Sequence, residues 1–426
     1  MNTSLKEILK AHAGRDLESV TAMSSKRDPY RRDTTANRRD AQWVADVMAQ
    51  HVTQTAIHPR GLHYVLVTVQ PIKPNGKPYL NTEADWEWLS GNALVNARWL
   101  GAVSFDSIVD ERNSPPVIRV PLGFDIQIEA MPEVEIPDAD DLEPRVVVYT
   151  EKSGDAGFWW QAQPYTLIIA GEKTSLEPVI DPVATECNAG IFLPTGEMSD
   201  TMIWQMVQMI EQCGRPAVLF YLSDFDPSGF SMPKNVARKL QAMADLGHLT
   251  QPVTVHDVAL TFEQCEALDL PSTPIKATDK RAAKWTAATG RQQTEIDALA
   301  TLRPRELRKI LRDAIAPYWD AGLKDRIIEA VGRYEVTQTE RLADQIGPDQ
   351  MQSIRDAIAE KLPEAQAALD EIRRLTAIDP TGFDLDPLVL PEPKLVGLPS
   401  RSPLLDPADD WLTQTEKLVA RKKYEV

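Results

Sequence analysis

The residues best suited to chemistry in this chain are three carboxylates. Glu172 follows the apolar run Leu167-Ile168-Ile169-Ala170, in Gly171-Glu172-Lys173. Asp224 and Asp226 follow a second run, Val218-Leu219-Phe220-Tyr221-Leu222, in Ser223-Asp224-Phe225-Asp226-Pro227-Ser228-Gly229. Short apolar runs bounded by turn residues read as buried parallel strands. Side chains just past the carboxyl ends of such strands face the crevice where open α/β sheets bind ligands. Three carboxylates gathered there repel one another unless a hard cation sits among them. An all-oxygen donor set acting on phosphate suits Mg²⁺, or Mn²⁺ in its place. Asp, Pro, Ser and Gly also favour a plain turn, but the strand before the turn and a partner in Glu172 favour the metal. Glu151-Lys152, after the apolar residues 146–149, repeats the Glu-Lys pair and is the weaker candidate for the metal glutamate.

The elements that must position these residues alternate. Strands are predicted over 145–150, 166–170, 191–194, 217–222 and 253–260. Helices fall between them: 174–187, a helix capped by Ser199 with Ile203, Met206, Val207 and Ile210 on one face, and 233–244. Such alternation predicts an α/β fold with a mostly parallel, doubly wound sheet over 145–270. Upstream, 1–40 reads as a polar, basic arm that opens with a short amphipathic helix. In 41–121, short helices around a Gly-Pro turn suggest a winged-helix module, and 122–144 reads as an acidic, Pro-containing linker. Downstream, 271–320 is helical, with Leu307, Ile310, Leu311 and Ile315 forming a stripe after Pro304. A helical extension is predicted over 321–378. A Pro-rich tail follows over 379–426, ending in a short helix that could dock.

Composition sets the bounds. At 426 residues, 43% of them hydrophobic, the chain has material for two or three domains. Its three cysteines, Cys187, Cys213 and Cys265, are far apart and suit a reducing compartment. The N-terminus is too polar for a signal peptide, and no apolar run approaches bilayer length, so a cytoplasmic protein is expected. A net charge of -17 weighs against nucleic acid, but basic residues cluster over 26–39 and 276–309. Either cluster could be no more than a solvated face.

Taken together, the Glu172 element, Gly196 in Pro194-Thr195-Gly196 and the run from Asp224 to Gly229 resemble a Toprim domain. More narrowly, they are similar to that of the topoisomerase VI A subunit and its meiotic double-strand-break relatives, in a prokaryotic or mobile-element branch. Arg60-Gly61-Leu62-His63-Tyr64 matches the arginine-to-tyrosine spacing of that group's winged-helix domain, and 274–281 with 294–299 resemble its post-Toprim segment. The likeness covers roughly residues 40–316. It implies a CAP-like winged helix carrying the catalytic Tyr64, and a Toprim domain whose Glu172, Asp224 and Asp226 hold Mg²⁺. Arg60 would clamp phosphate, and Glu172 would serve catalysis through the metal. His63 stands where relatives often have an aromatic residue and could help to deprotonate Tyr64. Arg60, His63, Lys173 and Arg98 are the expected DNA contacts. A homodimer on double-stranded DNA is implied, with the tyrosine of one subunit meeting the metal of the other. Because the chain has no Walker A loop, a GHKL-type or other ATPase partner is expected, together with nucleoid association.

The chemistry can be stated from the residues. Breaking a phosphodiester reversibly needs a nucleophile that stays attached, and a tyrosine phenol serves. A free phenol has a pKa of ~10, so it needs a base or a nearby cation. A cation held by the carboxylates would stabilise charge at phosphorus and on the departing 3′ oxygen. The expected outcome is a double-strand break with 5′-phosphotyrosyl ends. Two alternatives stand beside it. One is a Toprim nuclease using metal-activated water, as in plasmid-defence condensin systems, with Tyr64 a core aromatic. The other is a DNA-binding assembly subunit without turnover.

Overall fold

The computed structural model describes residues 4–12, 14–52, 55–110, 116–121, 128–135, 143–152, 160, 162–275, 279–361, 371–372, 374 and 382–421. The chain forms two compact units. One comprises 1–121, 165–319 and 397–426; the other comprises 122–164 and 320–396.

Among the described residues the strands are β1 (Val117–Arg119), β2 (Ile128–Glu135), β3 (Arg145–Lys152), β4 (Thr166–Gly171), β5 (Gly190–Leu193), β6 (Ala217–Leu222) and β7 (Val253–Ala259). The helices up to the sheet are α1 (Leu5–Ala11), α2 (Thr35–His51), α3 (Pro59–Val69), α4 (Glu83–Trp88) and α5 (Leu94–Trp99). Then come α6 (Glu177–Glu186), α7 (Asp200–Cys213), α8 (Pro227–Asp245), α9 (Phe262–Ala267), α10 (Ala282–Thr289), α11 (Ile296–Leu302), α12 (Pro304–Ile315), α13 (Leu323–Lys361) and α14 (Trp411–Ala420).

In the larger unit, β1-β5-β4-β6-β7 form one sheet. β4 to β7 run parallel, and β1 adds an antiparallel edge to β5. β4 and β6 are apolar at successive positions because both faces are covered. Ile168, Ala170, Leu219 and Tyr221 pack with α7 and α8 on one face. Leu167, Ile169, Val218 and Phe220 pack with α6, α10 and α12 on the other. The expected doubly wound, mostly parallel sheet is therefore present from 166 onward.

The strand expected at 145–150 belongs elsewhere. β3 pairs antiparallel with β2 in the smaller unit, so part of the expected linker is itself a strand. Only alternate residues of this ribbon are covered: Val134 and Val148 pack against Leu342, Ile346, Ile354 and Ile358 of α13, whereas Tyr149 is exposed. α13 also supplies edge acceptors, with the Val148 N–H donating to Thr339 Oγ1 at 2.8 Å and the Thr150 N–H to Glu335 Oε1 at 2.8 Å. α13 breaks at Gly347 (φ 73°), where Pro348 follows. Leu388 and Leu390 of the Pro-rich segment cover Leu323, Ile327 and Val331.

In 41–110 the architecture is helical, around Val44, Leu62, Leu66, Tyr79, Leu89 and Leu94. His58 caps α3 and Pro59 occupies its first turn. α4 runs into α5 through a π-turn at 89–93. Among the described residues 41–110 hold isolated bridges but no strand, and the described strand within the expected 41–121 module is β1, which pairs with β5 of the sheet.

The basic arm is corrected most. Asp28 is fully buried; it accepts N–H bonds from Ala22, Met23 and Tyr30 and faces Arg238 of α8 at 3.2 Å. Arg238, equally buried, also donates to Val20 O at 3.0 Å and to Thr415 Oγ1 of α14 at 2.9 Å, and lies 4.0 Å over the Tyr30 ring. Arg27 pairs with Glu197, Arg32 donates to Asn96 Oδ1 at 2.9 Å, and Arg38 pairs with Asp33. The run is basic because it has acidic and amide partners inside the chain. The terminal helix docks on this same core, and Leu404 and Leu405 bridge to Val255. No described helix is long and apolar enough to cross a membrane.

A buried ion pair with one partner removed leaves an unmatched charge, at a cost of about 3–5 kcal/mol. Asp28→Ala should therefore lower the denaturant midpoint strongly, whereas Lys309→Ala, which breaks an exposed pair with Asp313, should leave it nearly unmoved. Equal midpoints for the two variants would contradict the role given to Asp28.

Candidate functional site

From β4 the chain passes to β5 on one side, and β6 then takes the other side of β4. This reversal makes a switch point at the carboxyl ends of β4 and β6, where open α/β sheets bind ligands. Gly171 pairs in register with Leu222, so the residues after them, Glu172 and Ser223-Asp224, emerge side by side. Gly171 has no room for a side chain: a Cβ there would meet Leu222 O and Leu176 at 3.1 Å.

The buried Glu172 accepts the Asp224 N–H on Oε1 at 2.7 Å. Its own carbonyl accepts the N–H of Gly196 at 2.8 Å, and Gly196 holds φ 88°, which favours glycine. Asp224 Oδ1 accepts the Ile296 N–H at 2.7 Å, and Asp224 Oδ2 lies 3.0 Å from Lys173 Nζ. Phe225 and Thr294 exchange backbone hydrogen bonds of 2.9 and 3.1 Å, which holds the start of α11 beside the cluster. Asp226 caps α8, its Oδ1 accepting from the N–H groups of Ser228 at 2.8 Å and Gly229 at 2.6 Å. A Cβ on Gly229 would lie 2.2 Å from Asp224 O. Ser199 caps α7 as expected.

Burial, and then the charges of Asp224 and Asp226, push the Glu172 carboxyl up to about 9. Burial likewise raises Asp226, with Asp224 adding to it against the opposing N–H bonds. For Lys173, burial alone would lower the ammonium, but Asp224 and Asp297 outweigh it and hold it above its ordinary value. Among the described residues no backbone N–H donates to Glu172 Oε2, Asp224 Oδ2 or Asp226 Oδ2. All three are hard oxygen donors of the kind divalent cations take, but among the described residues no group of three or more His, Cys, Asp or Glu side chains is arranged to hold a metal ion.

Sequence reasoning assigned no role to Glu295 and Asp297, whose carboxylates lie 3.4 and 3.0 Å from Lys173 Nζ. The signal was available in Thr294-Glu295-Ile296-Asp297, which places two acids on alternate residues at a helix start. Lys173 is thus held among acids rather than extended into solvent.

The other expected site residues lie apart from the cluster. Tyr64 projects from α3 and is 65% exposed, with its ring 5.6 Å from that of His63. Among the described residues no hydrogen bond, ion pair or ring contact joins Tyr64 to Glu172, Asp224 or Asp226. The Arg60 guanidinium stacks 3.7 Å from the centre of the Trp86 ring. Two expected DNA contacts are corrected. His63 is only 3% exposed, its Nδ1 bonded to Tyr79 Oη at 2.8 Å and its Nε2 to Asn81 Oδ1 at 3.3 Å, so neither nitrogen is turned to Tyr64 or to solvent. Arg98 is also buried, its guanidinium bonded to Ile108 O, to Thr201 Oγ1 at 2.9 Å and to Asp110 at 3.3 Å. Each is a polar group that burial obliges to find a partner within the protein.

Fold and site define an α/β chain with an acidic cluster at a sheet's switch point. No protein-family model matches the chain, and no curated protein matches it.

Gly229→Ala should drive the Asp224 loop out of place, destabilising the chain by about 1–3 kcal/mol in thermal unfolding; a melting temperature equal to wild type would contradict the close approach. A second expectation concerns pH. A carboxyl raised from 4.5 to about 9 on folding contributes stability that is present below 4.5 and is lost as pH rises toward 9. In EDTA, the melting temperature should therefore fall between pH 6 and 8.5 more steeply for wild type than for Glu172→Gln. Parallel curves would remove the assignment.

Proposed function

We propose that the chain is a Mg²⁺-dependent DNA-cleaving transesterase of the topoisomerase VI A kind, with a winged-helix-like DNA-binding segment and a Toprim-like sheet domain. The observation that carries this reading is the 2.7 Å hydrogen bond from the Asp224 N–H to Glu172 Oε1 at the switch point, with Asp226 two residues on. It supports the expected trio of carboxylates at one sheet edge. Glu172, Asp224 and Asp226 would hold the ion through the three oxygens to which no described backbone N–H donates. When bound, Mg²⁺ supplies positive charge against the charge that develops on the phosphate and the 3′ oxygen.

The chain's own residues do the rest. Tyr64, exposed on α3, attacks phosphorus through its phenolic oxygen. A new P–O bond forms to Tyr64, the bond to the 3′ oxygen breaks, the phenol proton leaves to a base or solvent, and the 3′ oxygen takes up a proton. Arg60, steadied on Trp86, is placed four residues before Tyr64 to meet the phosphate. Lys173, held by Asp224 and Asp297, adds positive charge beside the cluster. Since Tyr64 does not touch the carboxylates of its own chain, the reaction belongs to a homodimer on double-stranded DNA in which the tyrosine of one copy serves the cluster of the other. A GHKL-type ATPase would supply the strand movements, since the sequence carries no Walker A loop.

That same separation favours a second reading, in which the cluster activates water and Tyr64 is not a nucleophile. One experiment decides between them. Supercoiled plasmid is incubated with the full chain and Mg²⁺, with the ATPase partner present where one is found, and protein attached to DNA 5′ ends is measured. Wild type should cut and remain attached; Tyr64→Phe should lose attachment and at least ~10³-fold in cutting; Asp226→Ala should lose both. Cutting that survives Tyr64→Phe supports hydrolysis. Cutting unaffected by Asp226→Ala would exclude both enzymatic readings.

A further inference from the structure

Beside the carboxylates, at the carboxyl ends of β6 and β7, lies a cavity of about 530 Å³ that shares Asp224 with the cluster. Its volume falls within the range of ~300–1,000 Å³ typical of small-ligand sites. We propose that this cavity receives one unpaired nucleobase of the nucleic-acid strand lying on the cluster. The inference rests on the nucleic-acid reading above.

The walls are aromatic. Phe225 and Trp285 meet at 4.9 Å between centroids, Phe230 and Trp285 at 5.9 Å, and Phe225 and Phe262 at 6.2 Å. Phe225 and Trp285 are buried, whereas Phe262 lines the cavity with 40% of its surface exposed. An exposed aromatic face inside a cavity is a stacking platform, and stacking on such faces is how proteins hold unpaired bases of any sequence.

The polar groups suit a heterocycle better than a hydrocarbon. Arg421 lies 4.4 Å over the Phe230 ring and spends both terminal nitrogens on Asp257 Oδ2 at 2.8 Å. Its Nε–H is buried with no acceptor among the described residues. Glu263 and Thr261, also in the lining, offer acceptors for exocyclic amino groups. A phosphate is a poorer occupant, because Asp224, Asp257 and Glu263 together outnumber Arg401 and Arg421 in the lining.

α10 joins the two halves of the recognition. It turns Trp285 into the cavity while Lys284, next to it, is exposed, as is Lys280 just before the helix. The exposed ammonium groups are placed to meet phosphates of a strand whose base enters beside Trp285. A strand held in this way would have its backbone fixed in register next to Asp224.

The test uses the full chain with Ca²⁺, an oxygen-seeking ion, in place of Mg²⁺. Two duplexes are compared: one carries a single bulged 2-aminopurine, and the other has the same base fully paired. The bulged duplex should bind at least tenfold more tightly, with a saturable change in 2-aminopurine emission. Ala288→Trp, which fills the cavity from an exposed position in its lining, and Phe262→Ala should each reduce that preference below twofold. Both variants should keep wild-type affinity for the paired duplex. If Ala288→Trp does not fold, Phe262→Ala decides alone. Equal binding of the two duplexes, no binding of either, or a preference that survives Phe262→Ala would overturn the inference. Preference without Tyr64-dependent cutting would overturn only the transesterase reading; cutting without preference would overturn only the base site.

Discussion

Two neighbouring parallel strands that end in acids create the constraint around which this chain is arranged. In-register pairing of Gly171 with Leu222 forces Glu172 and Asp224 together, and Asp226 follows two residues later. A buried Glu172 and two half-buried aspartates this close cannot all be charged without compensation. The fold supplies three kinds. Backbone N–H groups from Asp224, Ile296, Ser228 and Gly229 take one oxygen of each acid. The Lys173 ammonium takes the outer oxygen of Asp224. A proton retained on Glu172, whose carboxyl is raised by burial and by both aspartates, provides the third. On the proposed reading, a divalent ion would replace the proton and relieve the lysine.

Keeping the corner in place falls largely to α8. Asp226 caps its first turn, and Gly229 lets that turn press against the Asp224 carbonyl. Farther along, Arg238 is gripped by Asp28 from one end of the chain and by Thr415 from the other. Tyr30, Trp411 and Leu418 close an apolar shell over the same face. The two ends of the sequence thus steady the helix that carries the third carboxylate. Asp28 and Arg32 near one end and Thr415 near the other are tied into the core rather than held in solvent.

Much of this was legible because burial on both faces leaves a simple trace. β4 and β6 appear as apolar runs, and the acids just past their ends are conspicuous for that reason. The run at 146–149 has the same look, yet it builds a ribbon with 128–135, since apolar composition alone cannot say which strand is the neighbour. His63 and Arg98 were misplaced for a related reason: whether a polar residue faces solvent depends on partners distant in sequence, here Tyr79, Asn81, Asp110 and Thr201. The basic run from Lys26 to Arg39 reads as a polar arm because Glu197, Asn96 and the core around Arg238 lie far along the chain. Glu295 and Asp297 stand in a stretch that resembles a family segment, but their approach to Lys173 follows only from the Phe225–Thr294 bridge.

Binding of Mn²⁺, followed by electron paramagnetic resonance at neutral pH, tests most directly whether the three acids form a cation site. Wild type should take up a stoichiometric tight ion with release of a proton, while Glu172→Gln and Asp226→Ala should each weaken it by tenfold or more, since ligands must be deprotonated to bind. Uptake that is absent, or that is as tight in both variants as in wild type, would contradict the account.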